Sequence, residues 1–150
     1  MKHERTVPVG NLMIKKILVA LDGSKFSFKA LSNAIYLARQ CGGTITGLYV
    51  VSVYPRNLGD LVGPIRARLY GDAKKIMEKA KITCAQNGIV FKGKVVYGDA
   101  KSEIPDFAIN YKFDLVVMGS RGLSPVKELL LGSVTNAVAH KSKVPLLVVK

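Results

Sequence analysis

Three glycines and a serine near the C-terminal end of the chain have the spacing of an anion-binding site. Gly119 ends an apolar run, Gly122 follows after two residues, and Gly132-Ser133 come nine residues later. The residues after Ser133 have the pattern of a helix. The first N–H groups of a helix have no partner inside it, and the helix dipole adds partial positive charge there. The spacing G-x2-G-x9-G-S therefore predicts a strand, a glycine-hinged loop and a helix start that accept a phosphate.

The segment between these glycines carries charge of the matching sign. We expect residues 123–131 to arch over the phosphates as a flap, and Arg121 and Lys127 can add positive charge to the contact. A structural interpretation also stands, because glycines end strands and open helices in many folds of this kind.

Asp22 is the second candidate site residue, because it follows the first apolar run directly. A carboxylate at a strand end can accept hydrogen bonds from a ribose or a base, or help to hold Mg²⁺ indirectly. The alternative is a turn-forming aspartate that prepares the helix beginning near Ser24. Val50 and Met118 lie at the ends of two further predicted strands. They can pack on a flat base, although core packing explains both equally well.

The inventory of catalytic side chains is small. His3 lies in the N-terminal leader, and His140 lies on the last predicted helix, where a structural role is the simpler explanation. Cys41 and Cys84 have no partner histidine in the pattern, so neither a thiol nucleophile nor a zinc site is predicted. A Walker A loop and a G-x-G-x-x-G after the first strand are both absent. Any ATP hydrolysis is therefore expected to be slow or dependent on a partner.

Apolar periodicity predicts the elements that position these residues. Short buried strands alternate with amphipathic helices, which predicts one doubly wound α/β domain: a parallel five-stranded sheet of order 3-2-1-4-5 with helices on both faces. The strands are expected at 17–21, 44–53, 89–97, 115–118 and 145–149. The helices are expected at 24–41, 65–87 and 133–142, with a further short helix that starts at residue 102. Ligands of such sheets bind where the strand order reverses, here between strands one and four. Asp22 and Gly119 end those two strands and are expected to share one crevice.

Composition sets the class of protein. The 150 residues are 49% hydrophobic, which suits one domain at 15–150 behind a flexible leader at 1–14. No run of 18 apolar residues occurs, so no membrane partner is expected. Two distant cysteines are typical of reduced thiols and predict a cytoplasmic protein. The net charge of +13 is spread along the chain. Nucleic acid is the less favoured partner, because no basic run is interleaved with aromatics, but the charge keeps it open.

With these residues in place, the chain resembles the universal stress protein family from about residue 15 to residue 150. The resemblance is carried by KKILVALDGS, the Gly98-Asp99 turn, VVMGSRG, GSVTNAVAH and PLLVV. The glycine spacing matches the ATP-binding branch of that family. The resemblance implies an adenine nucleotide alpha hydrolase-like fold and a homodimer formed through the last strand. The net charge and the leader depart from the family pattern.

The resemblance also implies roles for individual residues. Positions that match contacts to adenine and ribose are Ala20, Asp22, Val50, Met118 and Gly119, and those that match the phosphate cradle are Gly122, Gly132, Ser133 and Val134. The implied function is an ATP-binding stress-response protein that acts as a nucleotide-dependent switch. Two alternatives remain: a slow Mg²⁺-dependent ATPase or phosphotransferase, and a polyanion-binding module with a vestigial nucleotide site.

Overall fold

The computed structural model describes residues 13–52, 64–124 and 131–150, so nearly all of the expected leader and part of the expected flap, including Lys127, lie outside the described residues. Strands and helices alternate through the described ranges. The order is β1 (Lys16–Ala20), α1 (Lys25–Cys41), β2 (Thr44–Ser52), α2 (Pro64–Gln86), β3 (Phe91–Gly98), α3 (Ala100–Asn110), β4 (Leu115–Gly119), α4 (Ser133–Lys141) and β5 (Leu146–Val149).

The five strands form one parallel sheet of order β3-β2-β1-β4-β5, as the sequence predicts. The central strand β1 pairs with β2 on one side and β4 on the other, with Ile17 opposite both Ile45 and Leu115. All five residues of β4 and three of the five in β1 are buried. Both faces of these strands are covered, which explains why their sequences are continuous apolar runs and not alternating ones.

Each face of the sheet packs against its own pair of helices. Ile17 faces α1 and α2 and belongs to a buried cluster with Leu31. The next residue, Leu18, faces the other way and packs in a second cluster with Ile104 of α3 and Val138 of α4. Successive side chains of a strand point to opposite faces, so one strand contributes to two cores. The cavity described below lies at the edge where these strands end.

The third helix begins earlier than the sequence pattern predicts. The predicted start at Ser102 is wrong, because Asp99 caps the helix: its side chain accepts a hydrogen bond from the Lys101 N–H at 3.0 Å. A helix that starts at Ser102 would have Pro105 in its first turn, where a proline is tolerated, but in the structure Pro105 lies beyond the first turn. A proline there cannot donate to the carbonyl one turn back.

The amphipathic pattern of α2 is right along most of its length but wrong at its start. Helical spacing predicts that one apolar face of α2, which includes Ile65, packs on the sheet: Ala73, Met77, Ala80 and Cys84 are buried, whereas Ile65 is 59% exposed. A helix of this length spans about 35 Å, and the strand β3 beneath it about 26 Å, so the first turn extends past the strand. β3 is an edge strand, as the predicted strand order requires. No helix in the described ranges is both long and apolar enough to cross a membrane.

Candidate functional site

A cavity of about 250 Å³ lies at the carboxyl ends of β1, β2 and β4, where the strand order reverses. Apart from Lys127, which lies outside the described residues, the structure brings the predicted site residues to this one cavity. Those that line it are Ala20, Asp22, Val50, Met118, Gly119, Arg121, Gly122, Gly132, Ser133 and Val134. Their individual roles toward a ligand stay predictions, but their convergence from four separate parts of the chain makes the cavity the candidate site.

Asp22 divides its two carboxylate oxygens between the turn and the cavity. Its Oδ1 accepts a hydrogen bond from the Ser24 N–H at 2.8 Å, so the turn-forming role is present. Its Oδ2 lies across from Gly122, where an added Cβ would stand only 2.7 Å away. The structural and the ligand-binding interpretations are therefore compatible, because each uses a different oxygen of the same side chain.

The glycine that ends β4 has a packing reason of its own. A Cβ on Gly119 would stand 2.7 Å from the Cβ of Phe26 and 2.8 Å from its carbonyl carbon, because the first turn of α1 lies against the strand end. The next residue is fixed as well: the Ser120 N–H donates to the Val149 carbonyl, and its own carbonyl accepts from Gly132, both at 2.7 Å. The strand end and the start of α4 thus form one rigid frame beside the cavity.

The N-terminus of α4 opens into the cavity. Its N-cap residue is Gly132, which has no side chain to bond the first-turn N–H groups, and Ser133, Val134 and Thr135 all line the cavity. The Thr135 hydroxyl, which is buried, donates to the Gly119 carbonyl at 2.8 Å and ties the helix to β4. A helix start held in this way presents N–H donors and the positive end of the dipole to an anion.

The other end of the cavity is apolar. Val50 and Met118 meet Leu48 there, together with Ala100 and Ile104 of α3. Sequence analysis missed the contribution of α3. The Gly98-Asp99 turn was a signal, because it ends β3 at the same edge of the sheet, but the late predicted helix start concealed it. Leu21 and Thr135 also line the cavity and were not predicted, whereas Leu123 and Ser124, which line it too, belong to the expected flap.

Charge at the cavity is sparse. Among the described lining residues, Asp22 is the one carboxylate and Arg121 the one cation. The described part of the chain holds no group of three or more side chains arranged to bind a metal. Mg²⁺ commonly binds through one or two carboxylates plus substrate phosphates and keeps several waters. Asp22 Oδ2 can supply one such contact, and Arg121 adds positive charge to the cavity lining.

The remaining reactive groups lie away from this chemistry. Cys84 is buried on α2, and burial raises the pKa of its thiol to about 11, so it stays protonated and unreactive near neutral pH. Both cysteines are free thiols, as predicted. Tyr49 lies on the α2 face of β2. Burial first, then the charges of Asp72 and Asp22, raise the pKa of its hydroxyl above the usual value, which keeps it neutral.

Two nucleotide complexes have the same fold. One is a universal stress protein in complex with cAMP, 24% identical with a TM-score of 0.73 over 92% of this chain and 98% of that one. The other is the universal stress protein from Archaeoglobus fulgidus in complex with dAMP, 20% identical with a TM-score of 0.71 over 92% and 99% of the two chains. At these identities the likeness shows a common fold.

Sequence comparison is more specific. The model of the universal stress protein family matches residues 13–150. Universal stress protein YxiE of Bacillus subtilis is 34% identical over 92% of this chain and 100% of its own length. The solved structure of MJ0577, a universal stress protein of Methanocaldococcus jannaschii, is 32% identical with a TM-score of 0.83 over 92% of this chain and 96% of that one. This chain belongs to the universal stress protein family.

Proposed function

We propose that the cavity binds an adenine nucleotide, ATP in the first place, and that the protein acts as a nucleotide-dependent switch in a stress response. The observation that carries the proposal is the division of one cavity into an apolar end and an anion-accepting end. Val50, Met118 and Ile104 line the first, and the uncapped start of α4 lines the second. The cAMP and dAMP complexes of proteins with this fold support an adenine nucleotide as the ligand class.

The phosphate end uses backbone groups for its main contacts. N–H groups at the start of α4 are the donors, and Gly122 and Gly132 leave room for phosphate oxygens to come close to the backbone. The Gly132 Cβ position is 3.4 Å from the Cα of Arg121 and 3.5 Å from the Ser120 carbonyl oxygen, so the loop and the helix start lie close together and can present backbone groups to the same phosphate. Ser133 is exposed at the helix start and can offer its hydroxyl in addition to its N–H.

The base end uses shape and one polar side chain. The apolar side chains beneath the cavity provide a surface for a flat base, and burial of that base contributes binding free energy. We expect Asp22 Oδ2 to accept a hydrogen bond from a ribose hydroxyl. With Mg²⁺ bound to the phosphates, the same oxygen can instead take a water of the metal, while Oδ1 remains engaged by Ser24.

The sparse chemistry of the cavity favours binding over turnover. Asp22 is the one described lining residue able to act as a general base, and half of its carboxylate is already committed to the turn. A slow Mg²⁺-dependent ATPase is the competing function. Multiple-turnover hydrolysis by the purified protein that disappears in Asp22→Ala would establish the ATPase and contradict a pure switch.

A homodimer through β5 in the cytoplasm completes the proposal. β5 is the edge strand opposite β3, and Leu146, Leu147 and Val148 are only half-buried. An apolar edge strand is a ready surface for pairing with a second copy. Sedimentation analysis is expected to give a dimer that Val148→Lys converts to a folded monomer. A dimer that persists unchanged in this variant would place the interface elsewhere.

Calorimetric titration with ATP, ADP, AMP and cAMP tests nucleotide binding. We expect saturable binding that strengthens with phosphate number, because each added phosphate reaches further into the donor set of α4. The proposal fails if none of the four binds more tightly than about 1 mM, which corresponds to roughly 4 kcal/mol of binding free energy.

A further inference from the structure

A second, shallower cavity of about 380 Å³ lies between α2 and the end of β3. Its lining residues are Arg66, Ala67, Tyr70 and Tyr97. The two tyrosines are 53% and 41% exposed, which is unusual for large rings that share one cavity. The Arg66 guanidinium carbon lies 5.7 Å from the centre of the Tyr97 ring, so one cation is already held beside an aromatic face.

This cavity is separate from the candidate nucleotide site. Alternate residues of β3 point to opposite faces of the sheet, and Gly93 meets Met77 of α2 on the same face as Tyr97. Val96 points the other way, into the core shared with α3 and α4. The nucleotide cavity is lined from that opposite face by Ala100. A ligand at Tyr97 would therefore lie across the sheet from the nucleotide.

The surface around the tyrosines is strongly basic. Between residues 64 and 98 the chain carries eight basic and two acidic side chains. Arg66, Tyr70, Lys74 and Lys81 recur at intervals of four, four and seven residues, a spacing that puts them along one side of α2, and all are exposed. Of the two acidic residues, Glu78 shares this side of the helix and Asp72 lies nearer Tyr49. The excess of positive charge on α2 is complementary to a polyanion.

We infer that this surface binds single-stranded nucleic acid, with unpaired bases stacked on Tyr70 and Tyr97 and phosphates held by Arg66 and the lysines of α2. Non-specific single-strand sites combine a positive surface that follows the backbone with aromatic rings on which bases stack. The sequence contains no basic run interleaved with aromatics. The fold creates that combination, because it brings Tyr97 at the end of β3 beside the first turns of α2. The inference does not depend on nucleotide binding in the other cavity.

Fluorescence anisotropy with the full chain tests the inference. The probe is a labelled oligothymidylate of about 20 nucleotides, which is long enough for more than one stacking contact. Binding is measured in about 50 mM salt. Tyr70→Ala and Tyr97→Ala are each expected to weaken binding roughly tenfold, whereas Tyr70→Phe and Tyr97→Phe keep the rings and the affinity. Arg66→Ala is expected to lower the salt slope by about 0.7, the value for one lost phosphate contact on a single strand.

Matched controls separate this site from general attraction to the charged protein. Lys141→Ala removes one exposed charge outside α2 and β3 and is expected to leave the affinity within about twofold, a small electrostatic change. Gly122→Val is expected to leave oligonucleotide binding unchanged even where it abolishes ATP binding. The inference is overturned if the oligonucleotide does not bind, if a duplex of equal length binds as tightly, or if the two tyrosine-to-alanine variants bind like the wild type.

Discussion

The helices α1 and α4 both begin at the carboxyl edge of the sheet, yet α1 has a side-chain N-cap and α4 has none. α1 is closed by its own side chains: the buried Ser24 hydroxyl accepts from the Ser27 N–H at 3.1 Å, and Asp22 accepts from Ser24. α4 begins at Gly132, which makes no side-chain cap hydrogen bond. A side-chain cap satisfies first-turn N–H groups that otherwise need another partner.

The difference assigns the two helix starts to different tasks. α1 caps itself and thereby fixes Asp22 and the end of β1. α3 follows the same rule through Asp99. α4 leaves its donors open toward the cavity, and Thr135 anchors the helix by bonding to the strand instead of to its own first turn. The comparison thus predicts that changes at the cap of α1 and at the Thr135 anchor of α4 alter stability, whereas changes at Gly132 and the loop before it alter ligand binding.

The largest effect is expected from Gly122→Val. Its Cβ would stand 2.7 Å from Asp22 Oδ2, so either the carboxylate or the loop has to move, and the space beside the backbone is filled. We expect ATP binding to fall below detection in calorimetry while the fold is retained. Gly71→Val is the control, because a Cβ at that position on α2 meets nothing within 4 Å. If Gly122→Val binds ATP with wild-type affinity, this loop is not part of the binding site.

The next test is to give α4 a side-chain N-cap by substituting Gly132. Gly132 has φ −63° and ψ 160°, which any residue can adopt, and an added Cβ would meet ordinary contacts. Gly132→Asp supplies a cap and a negative charge. A charge about 5 Å from a phosphate, at an effective dielectric constant of about 20, weakens binding by about 3 kcal/mol, or roughly a hundredfold.

Gly132→Asn is the matched variant, because it caps the helix without the charge. We expect a smaller loss of ATP affinity, roughly tenfold for one competed hydrogen bond to a charged group, with thermal stability equal to or above the wild type. If both variants bind ATP normally, the start of α4 does not contact phosphate.

Thr135→Val breaks the bond that holds α4 to β4 without changing the side chain's size. The Gly119 carbonyl loses its hydroxyl partner in a buried place, which costs about 1–2 kcal/mol of unfolding free energy. Urea denaturation measures the loss, and Thr135→Ser, which keeps the hydroxyl, is expected to recover part of it. Equal stability of the valine variant and the wild type would show that this bond is not an anchor.

Ser24→Ala is expected to have the smallest effect, and it should lower stability and not ATP affinity. Loss of the cap costs about 1 kcal/mol, which lowers Tm by roughly 3 °C in a protein of this size. ATP affinity should stay within about twofold of the wild type, since Asp22 accepts from the Ser24 backbone N–H and not from its hydroxyl. A large loss of affinity with little loss of stability would reverse the roles assigned to α1 and α4.

Much of the fold follows from local pattern. Short-range sequence patterns predict the buried strands β1 and β4, the end of α1 at two glycines, and the loop marked by the spacing of Gly119, Gly122 and Gly132. Their positions also place Asp22 opposite the glycine loop once the strand order is known. For this reason the predicted lining residues converge on the cavity that the structure contains.

What the sequence did not reveal depends on long-range packing. Ala100 and Ile104 reach the cavity only because α3 starts at an Asp99 cap, and an aspartate after a glycine reads equally well as a simple turn. Ile65 fits the helical periodicity, but its exposure depends on where β3 ends. Tyr70 and Tyr97 are far apart in sequence, and only the packing of α2 on the edge strand makes them neighbours.

The most direct test of the central claim is a paired calorimetric titration of the wild-type protein with ATP and with adenosine. The two ligands share the base and ribose, so their difference in affinity isolates the phosphate contact at the start of α4. We predict that ATP binds at least about tenfold more tightly than adenosine, a difference of about 1.4 kcal/mol. Equal affinities, or no binding of either ligand below about 1 mM, would contradict the account.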